Sequence, residues 1–164
     1  MKSRRSFLKV VAGLGAASLA GPVFAQAKLF VVYDDELKNG WQNWSWAKAE
    51  LSVPAGGAKP IKVQGDAWSA LSLHHDAFST EGYTKVTFSI NGGGVGEQTL
   101  TVKAMVDGKP VDSTFTVKPK AKTWAQVEVP LKDLNAVNKI IDGICLQAQG
   151  EAYTPYYVTR IQFE

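Results

Sequence analysis

The sequence predicts an all-β protein folded as one antiparallel sandwich. Three observations carry that prediction. From Lys28 onward, apolar and polar residues alternate with period two, and no long stretch shows the 3.6-residue period of an amphipathic helix. The alternating runs are short, about nine or ten in all, and turn residues break them roughly every 8–12 positions, as in sandwiches and barrels. Most runs also pair an apolar face with a polar one, the habit of antiparallel sheets. No internal repeat and no linker-like stretch divides residues 28–164, so a single domain is expected there.

Taken in order, Leu29 to Tyr33 is rich in β-formers, and Tyr33-Asp34-Asp35-Glu36 leads through Gly40 to Trp41, Trp44 and Trp46. Ala49 to Val53 alternates and stops at Pro54-Ala55-Gly56-Gly57; Ile61 to Val63 follows and ends at Gly65-Asp66. Trp68 to His75 puts Leu71 and Leu73 on one face and Trp68, Ala70, Ser72 and His74 on the other. Lys85 to Asn91 turns Val86, Phe88 and Ile90 inward, and Gly92 to Gly96 reads as a hairpin needing positive φ. Gln98 to Val106 buries Leu100, Val102, Ala104 and Val106 and exposes Thr99, Thr101, Lys103 and Met105. Asp107-Gly108 is a strong hairpin signal, with a return strand expected over Val111 to Val117. Trp124 to Leu131 is a strand, Leu131 to Leu134 a helix-like turn, and Ile144 to Gln147 and Tyr156 to Phe163 close the chain.

The first residues read as an address. Ser3-Arg4-Arg5-Ser6-Phe7-Leu8-Lys9 matches the twin-arginine export pattern, and Val10 to Ala20 is a mildly apolar run too short to stay in a bilayer. Pro22 ends it, and a peptidase is expected to cut after Ala25 or Ala27. This assigns residues 1–27 to a signal peptide and makes the twin-arginine translocase a partner during export. The expected destination is the periplasm or the outside of the cell, with no permanent membrane anchor.

The leader also accounts for the basic balance. The chain has 18 Lys+Arg against 15 Asp+Glu, a net charge of +3. Lys2, Arg4, Arg5 and Lys9 fall in the leader with no acid, which leaves 14 basic residues against 15 acidic ones beyond it, or −1. Arg160 is the one arginine beyond the leader and the lysines are scattered, so nucleic acid is not expected as a partner. Cys145 is the only cysteine, which excludes an intrachain disulfide.

Several stretches, in this order, resemble the jelly-roll carbohydrate-binding modules with a galactose-binding-like fold. They are Val32-Tyr33 through Trp46-Ala47, Trp68 through Leu73, Gly82-Tyr83 through Gly94, Trp124 through Leu131 with Leu134 after it, and Tyr156 through Ile161. The resemblance implies a noncatalytic domain that holds polysaccharide or oligosaccharide, often beside a glycoside hydrolase; here it implies a stand-alone binding protein or the partner of a separate enzyme. It also implies a structural Ca²⁺ held partly by acids near the first strand and partly by acids in the closing strand. Asp34, Asp35 and Glu36 could supply the first set, but Thr159 and Arg160 stand where the second set would fall. A salt bridge from Arg160 to one of these acids is the alternative to the metal, and binding itself requires no cofactor.

Other chemistry finds little support. His74 and His75 are adjacent on a strand and point to opposite faces, so they do not make one metal site. No nucleophile elbow surrounds a serine, and Cys145 lies in an apolar run. Glycoside hydrolysis needs two carboxyls about 5–9.5 Å apart across a cleft, and no pair is singled out by spacing. Sugar rings present apolar C–H faces ringed by hydroxyls, which suits tryptophan flanked by small polar groups. Trp68, Ser72 and His74 have that mixture; Trp44 and Trp46 share a face if extended and stand as candidates too, but the Trp41–Trp46 tryptophans are expected chiefly to pin the N-terminal strand into the sandwich. Lys103 and Gln147 join them if their strands share a sheet, and Lys85, Thr87 and Ser89 are candidates for the same surface. Trp124 is read as a core or edge plug. The sequence thus points to exported, noncatalytic carbohydrate binding on an open sheet face. A structural or protein-interaction sandwich in the cell envelope is the alternative, and a small glycan-cleaving enzyme a third.

Overall fold

A computed structural model describes residues 27–164; the expected export leader, but for Ala27, lies outside the described residues. The first strands are β1 (Phe30–Asp34), β2 (Glu36–Leu37), β3 (Gln42–Asn43), β4 (Lys48–Glu50) and β5 (Ile61–Gly65). The central ones are β6 (Ala70–Ser79), β7 (Lys85–Asn91), β8 (Leu100–Val106), β9 (Lys109–Pro110) and β10 (Thr116–Val117). Then come β11 (Trp124–Pro130), the 3₁₀ turn Leu131–Leu134, β12 (Ile140–Ala148) and β13 (Tyr153–Phe163). They form two antiparallel sheets. The first runs β11-β7-β13-β1-β2, and β13 is long enough to pair β5 as well, with β4 beyond it. The second runs β10-β8-β12-β6-β3, with β9 beside β8.

The inward faces follow the predicted alternation except on β8, where Thr101 and Met105, expected to be exposed, are buried and Val106 is only partly buried. Leu71 and Leu73 of β6 and Leu100, Val102 and Ala104 of β8 meet Val86, Phe88 and Ile90 of β7 in one buried cluster. Each large side chain buried this way contributes about 1.5–3 kcal/mol. One end is sealed by aromatics: Trp41 lies 5.7 Å from Phe30, 5.3 Å from His75 and 6.0 Å from Phe163, centroid to centroid.

The chain departs from the expected elements where local chemistry overrides period. β6 runs on to Ser79 instead of ending near His75, because His75 and Phe78 are packed into the aromatic end. The return strand expected over Val111 to Val117 is reduced to β10. The hairpin at Asp107-Gly108 forms, with Val106 opposite Lys109, and Val111 N–H still donates to Ala104 O at 2.8 Å, but residues 111–115 are not strand. The Ala49–Val53 strand shortens to β4, because Ser52 turns at φ 55° and its N–H donates to the Tyr33 hydroxyl at 2.9 Å. The Gly92–Gly96 loop is not a hairpin. β7 and β8 lie in different sheets, and the loop carries the chain across. Gly93 is required there: its φ is 67°, and a Cβ would lie 2.1 Å from the Pro155 carbonyl oxygen.

Candidate functional site

The open face of the second sheet gathers most of the candidate residues. Register brings them side by side. His74, Gly143 and Met105 form one row across β6, β12 and β8; Ser72, Cys145 and Lys103 form the next; Ala70, Gln147 and Thr101 form the third. The middle of this outer face is lined by a small buried patch of Ala70, Met105 and Cys145. Burial pushes the Cys145 thiol up to about 12, with only a weak opposing pull from Lys103, so it stays protonated at neutral pH.

The tryptophans stand along one edge of that face. After β3 the chain continues beside β6: Trp44 N–H donates to Ser72 O at 2.9 Å and Trp46 N–H to Ala70 O at 3.1 Å. Two residues apart on an extended edge, both indoles rise on one side. Trp44 stacks on His74 with centroids 3.5 Å apart and planes 14° from parallel, and its Nε1 donates to Gln42 Oε1. Trp68 is not in the strand at all. It sits at φ 65°, in the turn that Ser69 closes by donating from N and Oγ to Asp66 O. Its carbonyl then accepts from Trp46 Nε1 at 2.9 Å and from Gln147 Nε2 at 3.0 Å. Trp44 is thereby fixed by His74 and Gln42, Trp46 by the Trp68 carbonyl, and the Trp68 backbone by its turn, yet the three indoles are left 54%, 47% and 59% exposed for Trp44, Trp46 and Trp68. Leaving so much apolar area in water while fixing its orientation makes a rigid platform for a flat partner.

The remaining candidates divide. His74, Lys103 and Gln147 are partly exposed beside the platform. Ser72 is buried, its N–H taken by Ser45 Oγ, so it frames the platform from below. Lys85, Thr87 and Ser89 belong to β7, in the other sheet, and do not reach this face. Gln149 donates to Thr101 Oγ1 at the sheet's far end. Trp124, expected as a plug, is 43% exposed; it starts β11, the edge of the first sheet, on the outward side. Trp41, by contrast, is core.

Two members of the acidic triplet have partners within the protein. Glu36 pairs with Lys38 at 2.6 Å, which lowers its pKa chiefly through that hydrogen bond, and Asp35 Oδ1 accepts from Lys59 N–H at 2.7 Å. No three His, Cys, Asp or Glu among the described residues converge as metal ligands. Nor does the alternative salt bridge form: Arg160 makes no ion pair with any described residue, although it lines a hollow together with Asp34.

No protein-family model matches the chain. It is 28% identical over 142 residues to an endoglucanase of Dictyostelium discoideum, a match covering 79% of this chain and 20% of that protein. The chain therefore spans about a fifth of the length of that curated relative. Among solved structures, a carbohydrate-binding module of family 29 superposes with a TM-score of 0.62 at 15% identity, over 85% of this chain and 89% of that one. A substituted module of the same family complexed with mannohexaose gives 0.62 at 15% identity, over 85% and 92%. Another, complexed with cellulohexaose, gives 0.59 at 15%, over 83% and 89%. At such identities the likeness is one of architecture, and it is close: this chain has the jelly-roll β-sandwich fold of the family 29 carbohydrate-binding modules.

Proposed function

We propose that this chain is a noncatalytic carbohydrate-binding protein whose ligand is a neutral polysaccharide lying on the open face of the second sheet. The observation that carries the reading is the platform of Trp44, Trp46 and Trp68, all exposed, with the indoles of Trp44 and Trp46 held by hydrogen bonds and the Trp68 backbone fixed by two. Sugar rings stack on the indoles, and Gln147, Lys103 and His74 bond to hydroxyls at their rims. The solved neighbours of this fold include complexes with cellulohexaose and mannohexaose, and the endoglucanase match covers only a fifth of that protein, which supports a binding module. Hydrolysis would need two facing carboxyls. The polar groups beside the platform are an amide, an ammonium and an imidazole.

Binding is reversible and needs no cation. Export through the twin-arginine translocase to the periplasm or beyond is part of the same reading, supported by the Ser3–Lys9 pattern and by a single, buried cysteine. A pull-down against a panel of insoluble and soluble polysaccharides, with and without EDTA, tests it. A β-glucan or mannan that retains the chain, unchanged by EDTA, is expected. Retention of no polysaccharide would leave the protein-interaction sandwich standing instead.

A further inference from the structure

The outer face of the first sheet carries a second set of flat and polar groups that the platform does not use. Trp124, Asn91 and Tyr157 form one cross-strand row on β11, β7 and β13, and Gln126, Ser89 and Thr159 form the next. Trp124 and Tyr157 thus stand two strand spacings apart, roughly 9–10 Å. Three hollows of 260, 260 and 270 Å³ lie end to end over these rows. The middle one shares Ser89 and Arg160 with one neighbour and Ala55 and Trp124 with the other, so the three make a continuous groove.

Arg160 is placed in that groove by a backbone device. Pairing between β13 and β7 shifts register between Thr159 and Gln162, and Arg160 has φ 52°, a conformation that L side chains rarely adopt. Without the bulge, alternation after Thr159 would send residue 160 into the core. With it, Ile161 and Phe163 return to the core, and the one arginine among the described residues stays exposed. Its guanidinium has no carboxylate partner among the described residues. Beside it, Thr159 is 4% exposed and lines the middle hollow, and its Oγ1 has no hydrogen-bond partner. Lys122 lines the hollow at the Trp124 end, and Asp34 the one at the opposite end.

We propose that this groove is a second saccharide site, and that it takes an acidic glycan bearing uronic acid residues. Ring faces stack on Trp124 and Tyr157, and a ring carboxylate seats on Arg160, whose planar fork matches a carboxylate through two parallel hydrogen bonds. Ser89 supplies a hydroxyl to the sugar, and Lys122 adds charge at the mouth. The platform on the other sheet pairs its indoles with an amide, an imidazole and an ammonium; this groove pairs its aromatics with an unpaired guanidinium. The two sites lie back to back, and neither requires the other.

The test is a titration of the full chain with a galacturonic acid hexamer, alone and in the presence of excess neutral hexasaccharide. The acidic hexamer is expected to bind in both cases and to bind more weakly as salt is raised. Arg160→Gln and Trp124→Ala should each weaken it at least about tenfold, Arg160→Lys less, because it keeps the charge but loses the fork. Trp68→Ala should leave this binding unchanged. Near-ultraviolet circular dichroism of each variant establishes that the sandwich is intact. No binding of the acidic hexamer would overturn the proposal. So would its loss in Trp68→Ala with indifference to Trp124→Ala, or equal affinity for poly-glutamate, which would make the groove a charge site and not a sugar site. The acidic probe and the Trp124 and Arg160 variants report on this groove alone, so failure here leaves the platform untouched, and failure of the platform leaves this test decisive.

Discussion

Trp41 and Trp44 leave the same short loop, yet Trp41 is buried and Trp44 is more than half exposed. Neither hydrophobicity nor neighbouring residues separates them; the backbone does. Trp41 N–H bonds to Lys38 O in the turn at Gly40, which aims the indole between the sheets, near-parallel to Phe163. Trp44 N–H bonds to Ser72 O, which commits the chain to run along the outside of β6. One residue closes the core at its aromatic end, and the other opens a surface. The ladder decides which indole is structure and which is available to a ligand.

That contrast can be broken from either side. The largest effect is expected for Trp41→Ala, which empties the aromatic end and should cost about 3–5 kcal/mol of stability, lowering the melting temperature by roughly 10 °C or more. Trp41→Phe should cost far less, because Trp41 Nε1 is buried without a partner and phenylalanine removes that unpaired donor. A smaller effect is expected for His74→Ala, which takes the stacking partner from beneath Trp44: neutral-glycan affinity should fall a few-fold, with the melting temperature nearly unchanged. A platform residue whose removal instead unfolded the chain would erase the contrast.

The smallest effect concerns pH and sharpens the boundary between core and surface. Hydrogen bonds from Gln162 and Thr87, and then Lys85 nearby, hold the Glu164 carboxyl below its usual range. A depressed folded-state pKa stabilises above the unfolded value and is lost as pH falls through the folded one. Glu164→Gln should therefore flatten the stability loss on the acid side of about pH 4.5, by no more than about 1 kcal/mol for a partly exposed group. Denaturant melts between pH 3 and 7 check it; an unchanged acid slope would contradict it.

Much of the sandwich was legible because period two is a direct record of which face is buried. Val86, Phe88 and Ile90, and Leu71 with Leu73, sit where alternation puts them. Sheet membership was not legible, because outward residues look alike on both sheets; Thr87 and Ser89 share the polar pattern of the His74 face yet lie on the opposite one. The bulge at Arg160 was equally hidden, since nothing in Thr159-Arg160-Ile161-Gln162 announces a positive φ. The turn at Trp68 was likewise read as strand, although its outward placement came out the same. Trp124, expected as a core or edge plug, does stand on an edge strand, but it is 43% exposed on the outward side, because β11 has no neighbour beyond it to cover the ring.

The most direct measurement is calorimetric titration of the full chain, of Trp68→Ala and of Trp124→Ala with mannohexaose and cellohexaose. The account predicts that wild type and Trp124→Ala bind at least one of these neutral hexasaccharides alike, and that Trp68→Ala weakens it at least about tenfold while remaining folded. Equal binding by Trp68→Ala and wild type, or loss confined to Trp124→Ala, would contradict it.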